Sequence, residues 1–140
     1  MEAERRLPIR SELDILTARQ RCTEMARELG FAASDLTALV TAISEIARNI
    51  VQFAGRGEIA IGVVRNGPDR GIAVVASDEG PGIADVDRAM QEGFSTGRSL
   101  GLGLAGARRL MDEFELRSEV GKGTTVTMRK WIGAPSSATE

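Results

Sequence analysis

Residues 58–77 read EIAIGVVRNGPDRGIAVVAS, and this stretch decides the fold class. Two runs rich in Val and Ile, Glu58 to Arg65 and Gly71 to Ser77, flank Asn66-Gly67-Pro68-Asp69-Arg70. Asn-Gly and Pro-Asp are turn chemistry, and β-branched runs on either side of a turn fold back as a hairpin. A second hairpin closes the chain: Glu115 to Val120, the turn Gly121-Lys122-Gly123, then Thr124 to Ile132. Toward the N-terminus the pattern changes period. Ile15, Ala18, Cys22, Met25 and Leu29 recur at spacings of 3 and 4, one face of a helix that Gly30 stops. Ser34 is the expected cap of a second helix, with the stripe Leu36, Leu39, Val40, Ile43, Ala47 and Ile50 and an end at Gly55 and Gly57. Residues 5–10 are expected as a short first strand. Residues 80–103 are expected as loop with a short helix over Val86 to Gln91, and a third main helix from Gly103 or Leu104 to about Phe114. Helices and antiparallel hairpins come in blocks. The expected class is therefore α+β, a two-layer sandwich with helices on one face of the sheet, not a doubly wound parallel sheet.

Composition narrows the function. The 140 residues suit one domain, expected over 5–132, followed by a small polar tail, 133–140, expected to be disordered. There is no His and one Cys, which excludes structural zinc sites, His-dependent triads and an internal disulfide. Cys22 alone suits a reducing compartment. A net charge of −2 from 18 basic and 20 acidic residues is not the footprint of a nucleic-acid binder. Met1 to Arg10 lacks an apolar signal region, and runs such as Ile72 to Ala76 fall far short of the ~20 residues of a membrane span. The expectation is a cytoplasmic domain without nucleic-acid or membrane partners.

Nine of the 16 glycines lie between Gly80 and Gly123, where backbone must bend sharply or approach something closely. Gly101-Leu102-Gly103-Leu104-Ala105-Gly106 matches a dinucleotide fingerprint in letters only, because the preceding Phe94 to Ser99 is polar and not a strand. A glycine-rich loop entering a helix at Leu104 still offers free N–H groups and a positive dipole end, which suit a polyphosphate. Gly101 and Gly103 let the chain wrap closely, and Arg98 can meet phosphate oxygens or simply be solvated. Glu45 and Asn49 lie at i and i+4, about 40° apart on a helical wheel. They read either as a solvated polar face or as a carboxylate and carboxamide for a hard cation, with the carboxylate also able to take a proton from a hydroxyl. Asp78 ends a strand and opens Asp78-Glu79-Gly80-Pro81-Gly82-Ile83. It reads as a turn residue or as an acceptor for an exocyclic amine, with Gly80 and Gly82 admitting a flat base. Gly121-Lys122-Gly123-Thr124 reads by itself as a turn.

Together and in this order these segments resemble the boxes of the GHKL ATPases. Glu45-Ile46-Ala47-Arg48-Asn49 resembles the N-box, and Asp78-Glu79-Gly80-Pro81-Gly82-Ile83 the D-x-G-x-G adenine box. Leu100-Gly101-Leu102-Gly103-Leu104 resembles the second glycine box, and Gly121-Lys122-Gly123-Thr124 the final G-x-G-T. The resemblance implies a Bergerat fold, with a mixed, mostly antiparallel sheet and a short ATP lid. It implies that Asp78 reads the adenine amino group with Thr124 in support, directly or through a water, and that Gly82 admits the base. Asn49 would hold Mg²⁺ on the phosphates of ATP, Gly101 and Gly103 would belong to the lid, and Glu45 would be the catalytic base.

Within the family, a phosphoacceptor His and a transducer domain are both missing from these 140 residues. The segments Thr41 to Ile50, Glu92 to Thr96 and Arg109 to Phe114, with Lys130-Trp131, resemble the anti-sigma-factor serine kinases, and among them the stressosome switch kinases. That resemblance implies a serine/threonine protein kinase acting on a STAS-domain partner in partner-switching stress signalling. The alternatives are a nucleotide-dependent module that binds a sigma-factor regulator or activates a downstream phosphatase, and the detached ATP domain of a split histidine kinase. Gly97-Arg98-Ser99 stands where such relatives carry more glycine.

Overall fold

The computed structural model describes residues 1–83 and 103–132. The expected helix over Val86 to Gln91, Arg98, Gly101 and the tail 133–140 lie outside the described residues. The order is β1 (Glu2–Ile9), α1 (Glu12–Leu29), α2 (Ala33–Asn49), a π-helical turn (Ile50–Ala54), β2 (Gly57–Asn66), β3 (Asp69–Asp78), α3 (Gly103–Leu110), β4 (Glu113–Glu119) and β5 (Gly123–Trp131). The five strands lie in the order β1-β2-β3-β5-β4. The expected mixed sheet narrows to antiparallel ladders throughout the described residues.

Side chains alternate in direction along β2, β3 and β5, although the middles of β2 and β3 are buried on both faces. Ile59, Ile61, Ile72, Val74, Val126 and Met128 point to the helices and join Ile15, Ala18 and Cys22 of α1 and Leu39, Ile43 and Ile46 of α2 in one core. Their strand neighbours Glu58, Ser77, Thr125 and Thr127 point the other way, to an outer face that no described helix covers. No described helix is long and apolar enough to cross a membrane.

Several element boundaries differ from expectation, and three of the shifts bear on the packing. Ser34 is not the cap of α2. Ala32 takes that place in an extended conformation and Leu36 N–H donates to its carbonyl at 2.9 Å, which puts Ser34 inside the first turn. β1 begins at Glu2 rather than residue 5, because pairing with β2 recruits the charged N-terminus. α3 stops at Leu110, short of Phe114. The Lys130 ammonium donates to the Leu110 carbonyl at 3.0 Å, and Asp112 N–H donates to Arg129 O at 3.0 Å. The chain thus enters the sheet, and Phe114 pairs with Met128 on the core face.

Candidate nucleotide site

At one end of the sheet the registers align a transverse row. Ile9 stands opposite Gly57, Gly57 opposite Asp78, Asp78 opposite Thr124, and Thr124 opposite Ser118. Directly opposed residues of an antiparallel pair share a face, so the row follows the helix side of the sheet. Asp78 and Thr124 therefore stand side by side under the helix layer. Asp78 Oδ1 accepts Gly80 N–H at 2.9 Å, an Asx turn that fixes the carboxylate. Asp78 Oδ2 has no hydrogen-bond partner among the described residues and is half-buried.

The glycines around Asp78 lock protein against protein. Gly123 sits at φ +113°, and a Cβ there would stand 2.1 Å from Asp78 O. Gly82 sits at φ +78°, and its Cβ would stand 2.3 Å from Glu119 O. Gly121 N–H donates to Pro81 O at 2.8 Å. The loop after β3 and the β4–β5 turn are thus pressed together backbone to backbone, and both glycines carry conformations that side chains resist. At Gly80 a Cβ would meet Ala54 Cβ at 2.6 Å, which seats the π-turn on the same loop. The π-turn follows Asn49 directly, so it carries the end of α2 to the Asp78 loop.

Glu45 and Asn49 both lie on the C-terminal half of α2, and both are half-buried. Glu45 Oε2 pairs with Arg48 Nη1 at 3.3 Å, and Glu45 Oε1 accepts the Gly103 N–H at 3.3 Å. The second bond sets a carboxylate at the first amide of α3, with Leu104 in the same first turn. An N–H at a helix start has no intrahelical acceptor and is favourable for an anion. Asn49's side chain has no hydrogen-bond partner among the described residues, and no cluster of three or more His, Cys, Asp or Glu side chains occurs among them. That donor set fits Mg²⁺ held by one carboxamide oxygen, substrate phosphates and water, not an all-protein cage.

A hollow of about 600 Å³ opens at the same strand ends, lined by Asp78 and Gly57 of the row together with Arg10, Arg56, Glu58, Ser77, Thr125 and others. Glu58, Ser77 and Thr125 are register partners on the outer face, whereas Gly57 and Asp78 belong to the row on the helix side, so residues of both faces line this hollow.

Ser118 and Arg48 were not expected at the site. Ser118 was not legible from the expected turn Gly121-Lys122-Gly123, which would set Val120 opposite Thr124; the structure pairs Glu119 with Gly123 and so brings Ser118 opposite Thr124. Arg48 carries an i,i+3 signal to Glu45.

The family described as the histidine kinase-like ATPase domain matches residues 9–130. The chain is similar to the serine/threonine-protein kinase RsbT of Bacillus subtilis, 48% identical over 124 residues that cover 89% of this chain and 93% of that protein. It is 36% identical over 120 residues to the anti-sigma F factor of Caldanaerobacter subterraneus subsp. tengcongensis, covering 83% of this chain and 84% of that one. Its fold is similar to a crystal structure of the RsbU and RsbW domains of a Mycobacterium tuberculosis protein, with TM-score 0.61 and 24% identity over 94% of this chain and 33% of the other. The mycobacterial sensor histidine kinase MprB gives TM-score 0.53 and 18% identity, over 93% of this chain and 98% of that one.

Proposed function

Because this chain belongs to the histidine kinase-like ATPase family, we propose that it is a serine/threonine protein kinase of a partner-switching pathway in the bacterial cytosol. Its substrate is a Ser or Thr hydroxyl of a STAS-domain partner, and its phosphoryl donor is ATP. The observation that carries this reading is the 3.3 Å contact between Glu45 Oε1 and Gly103 N–H. It sets a carboxylate at the amide end of the helix that suits the phosphates.

The chain's residues divide the work. Asp78 Oδ2 accepts from the adenine amine, and the loop locked by Gly82 and Gly123 holds that oxygen still. The start of α3 offers the Leu104 amide to the phosphates, beside Gly103, whose N–H is taken by Glu45. Asn49 is the residue that would hold Mg²⁺, which when bound neutralises phosphate charge. The partner hydroxyl oxygen attacks the γ-phosphorus, the bond to the β,γ-bridging oxygen breaks, and ADP leaves. Glu45 orients the hydroxyl and receives its proton. Arg98 and Gly101 are proposed to meet the phosphate tail from the segment before α3.

The test is transfer of radiolabelled γ-phosphate to STAS-domain proteins, with acid-stable phosphoserine or phosphothreonine as the product. Glu45→Ala is expected to lower the transfer rate by about 100-fold or more while ATP binding stays within about threefold. Transfer by Glu45→Ala at the parent rate would remove Glu45 from this role. An acid-labile phosphohistidine product would instead favour the split histidine kinase.

The identity with an anti-sigma F factor favours a second reading, a nucleotide-dependent module that binds a sigma-factor regulator or activates a phosphatase. Partner capture that depends on ATP and survives Glu45→Ala would support it.

A further inference from the structure

Arg48 stands beside the Glu45 carboxylate, and the division of work above gives it no task. On the helical wheel of α2 it lies about 60° to one side of Glu45, while Asn49 lies about 40° to the other. The carboxylate is thus flanked by a cation on one side and by the carboxamide that would hold Mg²⁺ on the other. Glu45 Oε1 is turned to α3 by the Gly103 N–H at 3.3 Å, and Oε2 faces Arg48 Nη1, also at 3.3 Å. The Glu45 side chain is 15% exposed and that of Arg48 is 43% exposed. Oε2 is therefore the oxygen on the open side, from which a protein partner brings its hydroxyl. The Nε and Nη2 groups of Arg48 have no partner among the described residues, so the guanidinium holds more donors than its one contact uses. A pair this exposed adds little to stability, so removal of Arg48 leaves the fold.

Resting on the kinase reading above, we propose that Arg48 is a catalytic residue that exchanges partners during transfer, from the Glu45 carboxylate to the oxygens of the transferred phosphoryl group. The charges dictate the exchange. The partner's hydroxyl oxygen bonds to the γ-phosphorus, and its proton goes to Glu45 Oε2. The bond to the β,γ-bridging oxygen breaks, and its electron pair leaves on ADP. Glu45 ends as a neutral acid, which holds a guanidinium far less tightly than a carboxylate does. The phosphoryl group now sits on the oxygen that was in hydrogen-bond reach of Oε2, and it carries the negative charge that Glu45 has lost. A planar guanidinium can donate two parallel N–H bonds to such a group. The cation is thus released from one anion as the neighbouring one forms. That interaction strengthens toward the transition state, so it raises kcat and not the affinity for ATP.

The test times γ-phosphate transfer on the full chain, with the STAS-domain protein that the wild type labels as acceptor. Arg48→Ala, Arg48→Lys, Glu45→Ala and the double variant Glu45→Ala/Arg48→Ala are compared, beside calorimetry with ATP and magnesium. Arg48→Ala is expected to lower kcat about 100-fold, with KM for the acceptor and affinity for ATP within about threefold. Arg48→Lys, which keeps the charge and loses the fork, is expected to retain about a tenth of the wild-type kcat. The double variant is expected to be about tenfold slower than Glu45→Ala, because Arg48 still meets the phosphoryl group when Glu45 is gone. A double variant no slower than Glu45→Ala means that Arg48 acts only by holding Glu45, and overturns the proposal. A loss confined to KM or to ATP affinity overturns it as well. So does an Arg48→Ala rate within about threefold of wild type or, should that variant not fold, an Arg48→Lys rate equal to wild type. All of these results leave the kinase reading standing. A folded wild type that labels no STAS-domain protein sinks that reading and the proposal together.

Discussion

Lys130 is the residue on which the end of α3 depends. Its side chain is only 11% exposed. The ammonium donates to the Leu110 carbonyl at 3.0 Å and lies 3.8 Å from Asp112 Oδ1 and 3.9 Å from Asp35 Oδ1. It therefore ties the C-terminus of α3 to the sheet and to the first turn of α2. Lys130→Met keeps most of the stem volume and removes the charge. A hydrogen bond from a charged donor is worth about 1.5–3 kcal/mol, and the carbonyl left behind has lost a buried partner. The two carboxylates are partly exposed, at 39% for Asp35 and 19% for Asp112, so their share is screened. The expected loss is about 2–3 kcal/mol. For a chain of this size that lowers Tm by roughly 6–12 °C. Thermal melts and urea titrations at pH 7 measure the loss, and amide exchange at residues 108–111 should quicken. A variant within about 2 °C of wild type would refute the assignment of Lys130 as the stop of α3.

Gly123→Ala puts a Cβ 2.1 Å from Asp78 O, while Gly121→Ala, at φ +82°, meets nothing within 4 Å. Calorimetry should show ATP affinity falling about tenfold or more in the first, while the second costs about 1 kcal/mol of stability with affinity unchanged. Equal effects on ATP binding would contradict the interlock. Burial pushes the Cys22 thiol up from 9.0 to about 12. The unfolded chain ionises first, so stability from the neutral thiol is full below about pH 9 and is lost toward pH 12, at about 1.4 kcal/mol per unit. Urea midpoints of wild type and Cys22→Ala across this range check it. Their difference should shrink as pH rises, and a constant difference would contradict the buried neutral thiol.

Much of the fold was legible because local chemistry and tertiary structure agree. Asn66 and Asp69 close the first hairpin where the turn residues stand, and the stripe from Ile15 to Cys22 lies in the core. The misses share one cause, long-range contact. Ser34 has the right chemistry for a cap, but the turn after Phe31 starts the helix two residues earlier. α3 stops at Leu110 for a lysine twenty residues away, which no local pattern contains. At the site, the order of the boxes pointed to Asp78, Thr124, Glu45 and Asn49. It did not show that Gly82 and Gly123 press against backbone. Nor did it show that Glu45 meets α3, since that depends on how α2 and α3 pack.

Calorimetric titration of ATP and GTP in the presence of magnesium, on wild type and Asp78→Asn, bears on the adenine pocket with the fewest intervening assumptions. Wild type should bind ATP far more tightly than GTP, and Asp78→Asn should lose most of that preference while keeping its fold. The same preference in both proteins, or no heat from ATP at millimolar concentration with folded wild type, would contradict a purine site built on Asp78.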